Sequence, residues 1–318
     1  MRRLLVCLLA GILLAGPLAA QDYPTHPLRV IAPFAPGAAT DTTIRAVASE
    51  LSRLSGQTVS VVNIPGEDGQ AGAAAAAAAK PDGYTILITT QTTQSINPHI
   101  YRNLPYDPVK SFAPVTALSS AAQIVLVRNE LDIRSIAGLV ALAREKPGKL
   151  TYGTGNGSSR GAAGLFKMMA QVDLKGVVYQ DQPLALADLL RGRLDIIFCD
   201  FILGLPPVRE GKVHGLAVSS FDRYPGLEQI PTVSDSGVPG YALTTWNAVY
   251  LPAGTPRPVV DKLNTLVREV VDSQSYRGLL RTTLAIPIAG TPEQLAAFQA
   301  RETAKWGEIV RISGMKEP

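Results

Sequence analysis

Two cysteines in 318 residues, Cys7 and Cys199, leave little from which a disulfide framework could be built. Histidine is nearly as scarce. His26, His99 and His214 stand far apart, with none of the short spacings at which metal ligands recur, so no metal or other cofactor is expected. No apolar run reaches the length of about 20 residues that crosses a bilayer. Charge of one sign is missing too: 30 Lys and Arg against 26 Asp and Glu give +4, with no basic block suited to a nucleic-acid backbone. Nucleic-acid binding and membrane spanning are set aside on these grounds. No internal repeat is present either, and stability must come from an ordinary apolar core.

Such a core is available. Hydrophobic residues make up 46% and charged residues 18%, the balance of a folded chain, and the length suits two domains or one large α/β domain. The first twenty residues read differently. Arg2 and Arg3 precede an apolar run over 4–15, and Pro17-Leu18-Ala19-Ala20 offers small residues for cleavage, so residues 1–20 are expected to be a signal peptide. Cys7 lies too early for a lipid-attachment box. Removing the leader leaves 28 basic and 26 acidic residues, a charge of +2, and Cys199 as the one cysteine. An oxidising compartment tolerates a free thiol best when it is buried, and Ile196-Ile197-Phe198-Cys199 reads as a buried strand end.

Residues 28–54 carry the clearest pattern. A short apolar strand over 28–32 runs into a Pro/Gly/Ala turn over 33–39 and then an amphipathic helix, with Ile44, Val47, Ala48, Leu51 and Leu54 on one face. Thr40 is the expected N-cap, and Asp41 in the first turn suits the positive end of the helix dipole. Nothing in Pro36-Gly37-Ala38-Ala39 is bulkier than a proline ring, so an anion could reach the free amides at the helix start. An ordinary strand-to-helix turn gives the same pattern.

Along the chain, strands over 58–63 and 84–89 flank a helix that holds the alanine run 73–79, the alternation of a parallel sheet with crossovers. Residues 89–98, T-T-Q-T-T-Q-S-I-N-P, follow a strand with neutral hydrogen-bonding side chains, the pattern of a ligand-facing loop or of a solvated one. An apolar strand over 123–128 opens a second α/β set. Its helices are expected over 135–146, 159–170, 183–191 and 203–210, and its strands over 150–153, 177–179, 194–198 and 213–218. A strand over 246–251 follows, then a long helix after Thr255-Pro256. Thr291-Pro292-Glu293-Gln294 is a capping box for the last helix, whose buried side carries Leu295, Phe298 and Trp306.

The second set contains two further candidates. Gly153-Thr154-Gly155-Asn156-Gly157-Ser158-Ser159 follows a strand and opens a helix, but its third glycine is one place early for a dinucleotide fingerprint and no acidic residue ends the next strand. The same geometry makes a second anion cradle at a helix N-terminus. Gly157-Ser158-Ser159-Arg160-Gly161 also fits G-x-S-x-G, with Asp195, Asp200 and His214 following in hydrolase order, although Ser159 lies several residues past the strand end. An exported serine hydrolase is therefore the rival reading.

A set of longer motifs points to one family. Residues 23–41 (Y-P-T-H-P-L-R-V-I-A-P-F-A-P-G-A-A-T-D), 81–87 (P-D-G-Y-T-I-L) and 96–115 (I-N-P-H-I-Y-R-N-L-P-Y-D-P-V-K-S-F-A-P-V) carry the first part. Residues 150–159, 188–195 (D-L-L-R-G-R-L-D), 231–241 (P-T-V-S-D-S-G-V-P-G-Y) and 251–256 (L-P-A-G-T-P) carry the rest. From about residue 23 to the C-terminus the chain resembles the Bug family, the periplasmic substrate receptors of tripartite tricarboxylate transporters. That resemblance implies an α/β periplasmic-binding-protein fold of type II-like form, two α/β lobes joined by a hinge. Residues 21–123 plus 245–318 would form one lobe and residues 124–244 the other, with crossings near 123–128 and 243–246.

The resemblance further implies a monomeric, non-enzymatic periplasmic receptor that binds a small carboxylate and delivers it to membrane permease subunits. The ligand would be an organic acid, an aromatic acid or an acidic amino acid. A sensor serving a membrane partner is the other alternative. Carried over, the first-lobe ligand loops supply Phe34, Ala35, Ala38, Ala39, Thr40 and Asp41, with Thr89, Thr90, Gln91 and Thr92. The second lobe would add Gly155, Asn156, Ser158, Ser159, Arg160 and Asp200. The chain departs from the family pattern with Ala38-Ala39 where glycines are commoner, Arg160 where a histidine is often near, and Gln180-Asp181 after Tyr179. Arg160 is the candidate partner of a second ligand carboxylate, or else a solvent-facing arginine on a helix flank, and Asp200 the partner of an amino or hydroxyl group, or else the cap of the helix that follows.

Overall fold

The structure is a computed structural model that describes residues 23–313 and 315. The expected signal peptide, its cleavage site and Cys7 lie outside the described residues. The first strands, β1 (Leu28–Ala32), β2 (Val59–Asn63) and β3 (Thr85–Thr90), run parallel in the order β2-β1-β3. Helix α1 (Ala39–Ser55) links β1 to β2 and turns Ile44, Val47, Ala48 and Leu51 into the core. Its start differs from the expectation. The N-cap is Ala38, which offers no side-chain bond, and Thr40 lies inside the helix, because Asp41 secures the preceding turn by accepting from Gly37 N–H at 2.9 Å.

Helix α2 (Gln70–Ala77) explains the alanine run. Ala73 and Ala76 are fully buried in a cluster with Ile31, Leu87, Trp246 and Tyr250. Gly72 comes so close to Pro33 that a Cβ there would lie 2.7 Å from its Cα. Only small side chains let the helix approach the sheet this closely. Beyond β3, residues 89–98 are neither a loop nor solvated. Thr92–Ile96 coil as a wide π-helical turn, helix α3 (Asn97–Ile100) continues it, and Thr92, Thr93, Gln94 and Ser95 are buried. Their hydrogen-bonding groups are partly met inside: Thr89 pairs with Thr93 at 2.7 Å, and Tyr106 OH donates to Thr93 O at 2.8 Å.

The strand expected over 123–128 is the second half of β4 (Phe112–Arg128), 17 residues long. The remaining elements follow in order: α4 (Ile136–Glu145), β5 (Thr151–Thr154), α5 (Gly157–Ala170), β6 (Lys175–Val178) and α6 (Gln182–Leu190). Then come β7 (Ile196–Asp200), α7 (Phe201–Arg209), β8 (Val213–Val218) and β9 (Thr244–Pro252). The chain closes with α8 (Arg257–Asp272), α9 (Gln274–Thr283), β10 (Ile286–Pro287) and α10 (Pro292–Ser313). The capping box at α10 is formed, Gln294 N–H donating to Thr291 Oγ1 at 3.2 Å and Thr291 N–H to Gln294 Oε1 at 2.8 Å. Neither α9 nor β10 was expected.

Pairing along β4 divides the sheet. From Phe112 to Ala122 it lies antiparallel to β9, which lies beside β3; from Gln123 onward its neighbours are β7 and β8, with β5 and β6 beyond β7. Ser219 ties the switch together. Its Oγ accepts from Gln123 N–H at 2.8 Å and donates to Leu243 O at 2.7 Å, and its N–H bonds Gln123 O. Helix α10 touches both sides. Gln299 accepts from Tyr250 OH and Glu302 from Trp246 Nε1, whereas Trp306, Ile309 and Val310 join a core with Phe166, Phe198 and Tyr241. Gly161 permits this: a Cβ there would lie 2.2 Å from the Trp306 ring. Among the described residues no helix is long and apolar enough to cross a membrane.

Candidate functional site

A cavity of about 380 Å³ lies between the two parts of the sheet, within the range of about 300–1,000 Å³ typical of small-molecule sites. One wall is the β1–α1 turn. Phe34, Ala35, Ala38, Ala39 and Thr40 line it. The Ala38 N–H is bonded to Ala35 O at 3.2 Å, and the Gly37 N–H to Asp41. The next three amides, of Ala39, Thr40 and Asp41, have no acceptor among the described residues, and the first turn of a helix can supply none. They sit at the positive end of a 17-residue helix.

Asp41 does not line the cavity; it braces the wall from behind. Besides Gly37 N–H it accepts from Arg45 Nε at 2.9 Å and Asn63 Nδ2 at 2.8 Å, and Asn63 Nδ2 also reaches Phe34 O at 2.9 Å. Burial alone would raise its carboxyl pKa, but these donors outweigh burial and hold it below the usual value. Thr90, Gln91 and Thr92 form the floor, whereas Thr89 is wholly buried and does not reach the cavity. Gln91 links the two sides: its Oε1 accepts from Trp246 N–H at 2.8 Å and its Nε2 donates to Ser158 Oγ.

The opposite wall contains Gly155, Asn156, Ser158 and Arg160. As a second amide cradle it is largely self-satisfied. Ser159 Oγ accepts from the N–H groups of Gly155 (3.1 Å) and Asn156 (3.2 Å), and Asn156 Oδ1 accepts from Ser159 N–H at 2.8 Å. Ser159 is therefore a buried capping residue off the cavity, and its hydroxyl donates to Asn156 O. The hydrolase arrangement is not assembled around it, since Asp195 is bound to Arg128 at 2.8 Å and to Thr151 at 2.7 Å. His214 sits on β8, paired with Val127. Cys199 is buried, and burial pushes its thiol well above the usual pKa.

Arg160 lines the cavity but already has a partner there. It forms an ion pair with Asp68 from the other side of the cavity, and Asp68 also accepts from Tyr101 OH at 2.9 Å. The side chains of both partners are only 14% and 13% exposed. Asp200 does line the cavity and makes no cap bond to α7. Burial pushes its pKa up, against the opposing influence of the Gln123 and Gln182 amides. Sequence reading did not identify Asp68, Tyr101, Gln182, Trp246 and Asn247 as lining residues. Gln182 alone left a local trace, standing just beyond the unusual Gln180-Asp181 pair. The described residues contain no group of three His, Cys, Asp or Glu positioned to hold a metal.

Residues 43–315 match the Tripartite tricarboxylate transporter family receptor. A UPF0065 protein from the tcbD-tcbE intergenic region of Pseudomonas sp. (strain P51) is 32% identical, over 95% of this chain and 92% of that protein. Among solved structures, R. palustris Rpa4515 with adipate superimposes with a TM-score of 0.88 at 33% identity, covering 93% of this chain and 99% of its own. MatC (Rpa3494) from Rhodopseudomonas palustris with bound malate gives a TM-score of 0.83 at 27% identity, covering 91% and 100%.

Proposed function

The chain belongs to the tripartite tricarboxylate transporter receptor family, and on that premise we propose that it is a periplasmic receptor holding a small carboxylate for a membrane permease. Members of this family are periplasmic solute-binding receptors, not enzymes, and this chain shares their α/β fold. The finer points are our reading. Residues 1–20 direct export and are removed, and the mature chain acts as a monomer. Residues 21–123 plus 245–318 form one lobe and residues 124–244 the other.

One observation supports the carboxylate reading above the rest: the unpaired amides of the lining residues Ala39 and Thr40, with that of Asp41 just behind them. Amides fixed at a helix start replace the water shell of an anion without reorganising, and exclusion of solvent strengthens each bond. Micromolar binding corresponds to about −8 kcal/mol, which a few charge-assisted bonds of roughly 1.5–3 kcal/mol each can supply. The bound acid would favour the state in which the lobes meet, and that preference is what a permease reads. The test is titration calorimetry with the mature protein against mono- and dicarboxylates, aromatic acids and amino acids. Micromolar heats confined to acids are expected. Equal binding of an acid and its uncharged methyl ester would overturn the reading.

A further inference from the structure

Two polar side chains on lining residues of the second wall, one buried and one half-buried, are incompletely matched, and together they describe the far end of the ligand. Gln182 is 4% or less exposed and its Nε2 has no hydrogen-bond partner. Its orientation is fixed by chemistry. Both neighbours of its Oε1, the Asp200 N–H at 3.2 Å and the Cys199 thiol at 3.9 Å, are donors, so the oxygen must face them and the amide nitrogen must face away. Beside it, Asp200 Oδ1 accepts from Gln123 Nε2 at 3.0 Å; Oδ2 takes no hydrogen bond among the described residues, although the Gln182 amide lies near enough to lower the carboxyl pKa. The wall therefore presents an unfilled donor and an unfilled acceptor side by side on lining residues, with Arg160 Nε a further buried donor without a partner.

The charges run the same way. Among the described residues lining the cavity Arg160 is the one cation, and it is paired with Asp68 through a terminal nitrogen while its Nε has no partner. Asp181 and Asp200 are acidic lining residues beyond that pair, and Asp181 is held at the α6 start by its bond from Leu184 N–H at 3.0 Å. A second carboxylate on the ligand would meet Asp200, and the one lining cation among the described residues is shared with Asp68. Freeing Arg160 for it would leave Asp68 buried and uncompensated.

We infer that this receptor selects a monocarboxylate whose other end carries a carboxamide or hydroxyl, read by Gln182 Nε2 and Asp200 Oδ2. Either group accepts from Gln182 and donates to Asp200. An ammonium satisfies only Asp200, and a dianion opposes it. The inference rests on the carboxylate reading above, which places the ligand's acid on the α1 amides and its far end here.

The test compares ligands of one length at pH 7.5 by calorimetry: adipate, adipic monoamide, 6-hydroxyhexanoate, 6-aminohexanoate and hexanoate, with three- to eight-carbon analogues of each. The monoamide or hydroxy acid of the best length should bind at least tenfold more tightly than its dianion. Asp200→Asn should narrow that gap at least tenfold, and Gln182→Leu should reduce amide binding to the level of the plain acid. A dianion that binds the wild type as well as the monoamide does, or a gap that Asp200→Asn leaves unchanged, overturns the inference but leaves the carboxylate reading standing. If no acid of any length binds, both fall.

Discussion

Ala39→Pro removes one amide from the proposed anion cradle while leaving the helix able to form. Ala39 is the first residue of α1, where proline is tolerated because that N–H has no intrahelical acceptor. Ala38, at φ −63° and ψ 157°, already holds the extended backbone that a following proline requires. The Ala39 N–H bonds nothing in the described protein, so folding loses no hydrogen bond. At such a compatible site the substitution should change stability by no more than about 0.4–1 kcal/mol, in the stabilising direction. A bound carboxylate, by contrast, loses one charge-assisted bond of roughly 1.5–3 kcal/mol. At 1.4 kcal/mol per factor of ten, Kd should rise roughly 10- to 100-fold. Calorimetry with the tightest acid found for the wild type reads the effect, with Ala39→Gly, which keeps the N–H, as control and urea unfolding to confirm the fold. A folded Ala39→Pro protein with unchanged Kd would refute the cradle.

Other perturbations test other parts of the site. Asp68→Asn leaves the buried Arg160 without its counter-charge, a loss of about 3–5 kcal/mol in the state where the two sides meet; small-angle scattering should show a larger ligand-free radius, and identical curves for variant and wild type would dismiss the pair as a latch. Ser219→Ala orphans the Gln123 N–H and the Leu243 carbonyl, both of which bond its buried hydroxyl. At about 1–3 kcal/mol for each group, a loss of roughly 2–6 kcal/mol is expected in urea unfolding, and a loss below 1 kcal/mol would show the clasp to be dispensable. The Asp41 carboxyl has a lowered pKa when folded, so the unfolded chain binds its proton first as pH falls. Its contribution is fully present above the unfolded value of roughly 4 and is lost as pH drops through the folded value below it. Asp41→Asn should flatten that part of the stability profile, and an unchanged slope between pH 5 and pH 3 would exclude Asp41 as a contributor.

What could be read from sequence was what the chain writes locally. The buried face of α1 and the Thr291–Gln294 box at α10 involve residues within a turn of each other, and both are formed. Glycines and alanines also left a readable mark, since small side chains at 72–76 have no purpose on a solvated helix. The first half of β4 was missed because Pro114 and the Ala/Ser stretch break its alternation, and its register against β9 shifts twice there. The hydroxyls and amides of residues 89–98 have the composition of a surface loop, yet tertiary burial overrode that composition. Arg160 is the instructive case. Its partner Asp68 is 92 residues away, and no spacing rule connects them. The orphan amide of Gln182 was equally invisible, because an unmet donor exists only once every neighbour has been placed.

Helix α10 has a mechanical consequence. A helix of 22 residues is a beam of about 33 Å. Its middle is fastened at Gln299 and Glu302 to Tyr250 and Trp246 and, a turn further on, at Trp306 to the Gly161 groove. Jaws riveted to one beam cannot part along it. If the proposed lobes part on ligand release, they would gape at the edge away from α10, and an outside protein that tells a loaded receptor from an empty one would have to feel that edge and not the spine.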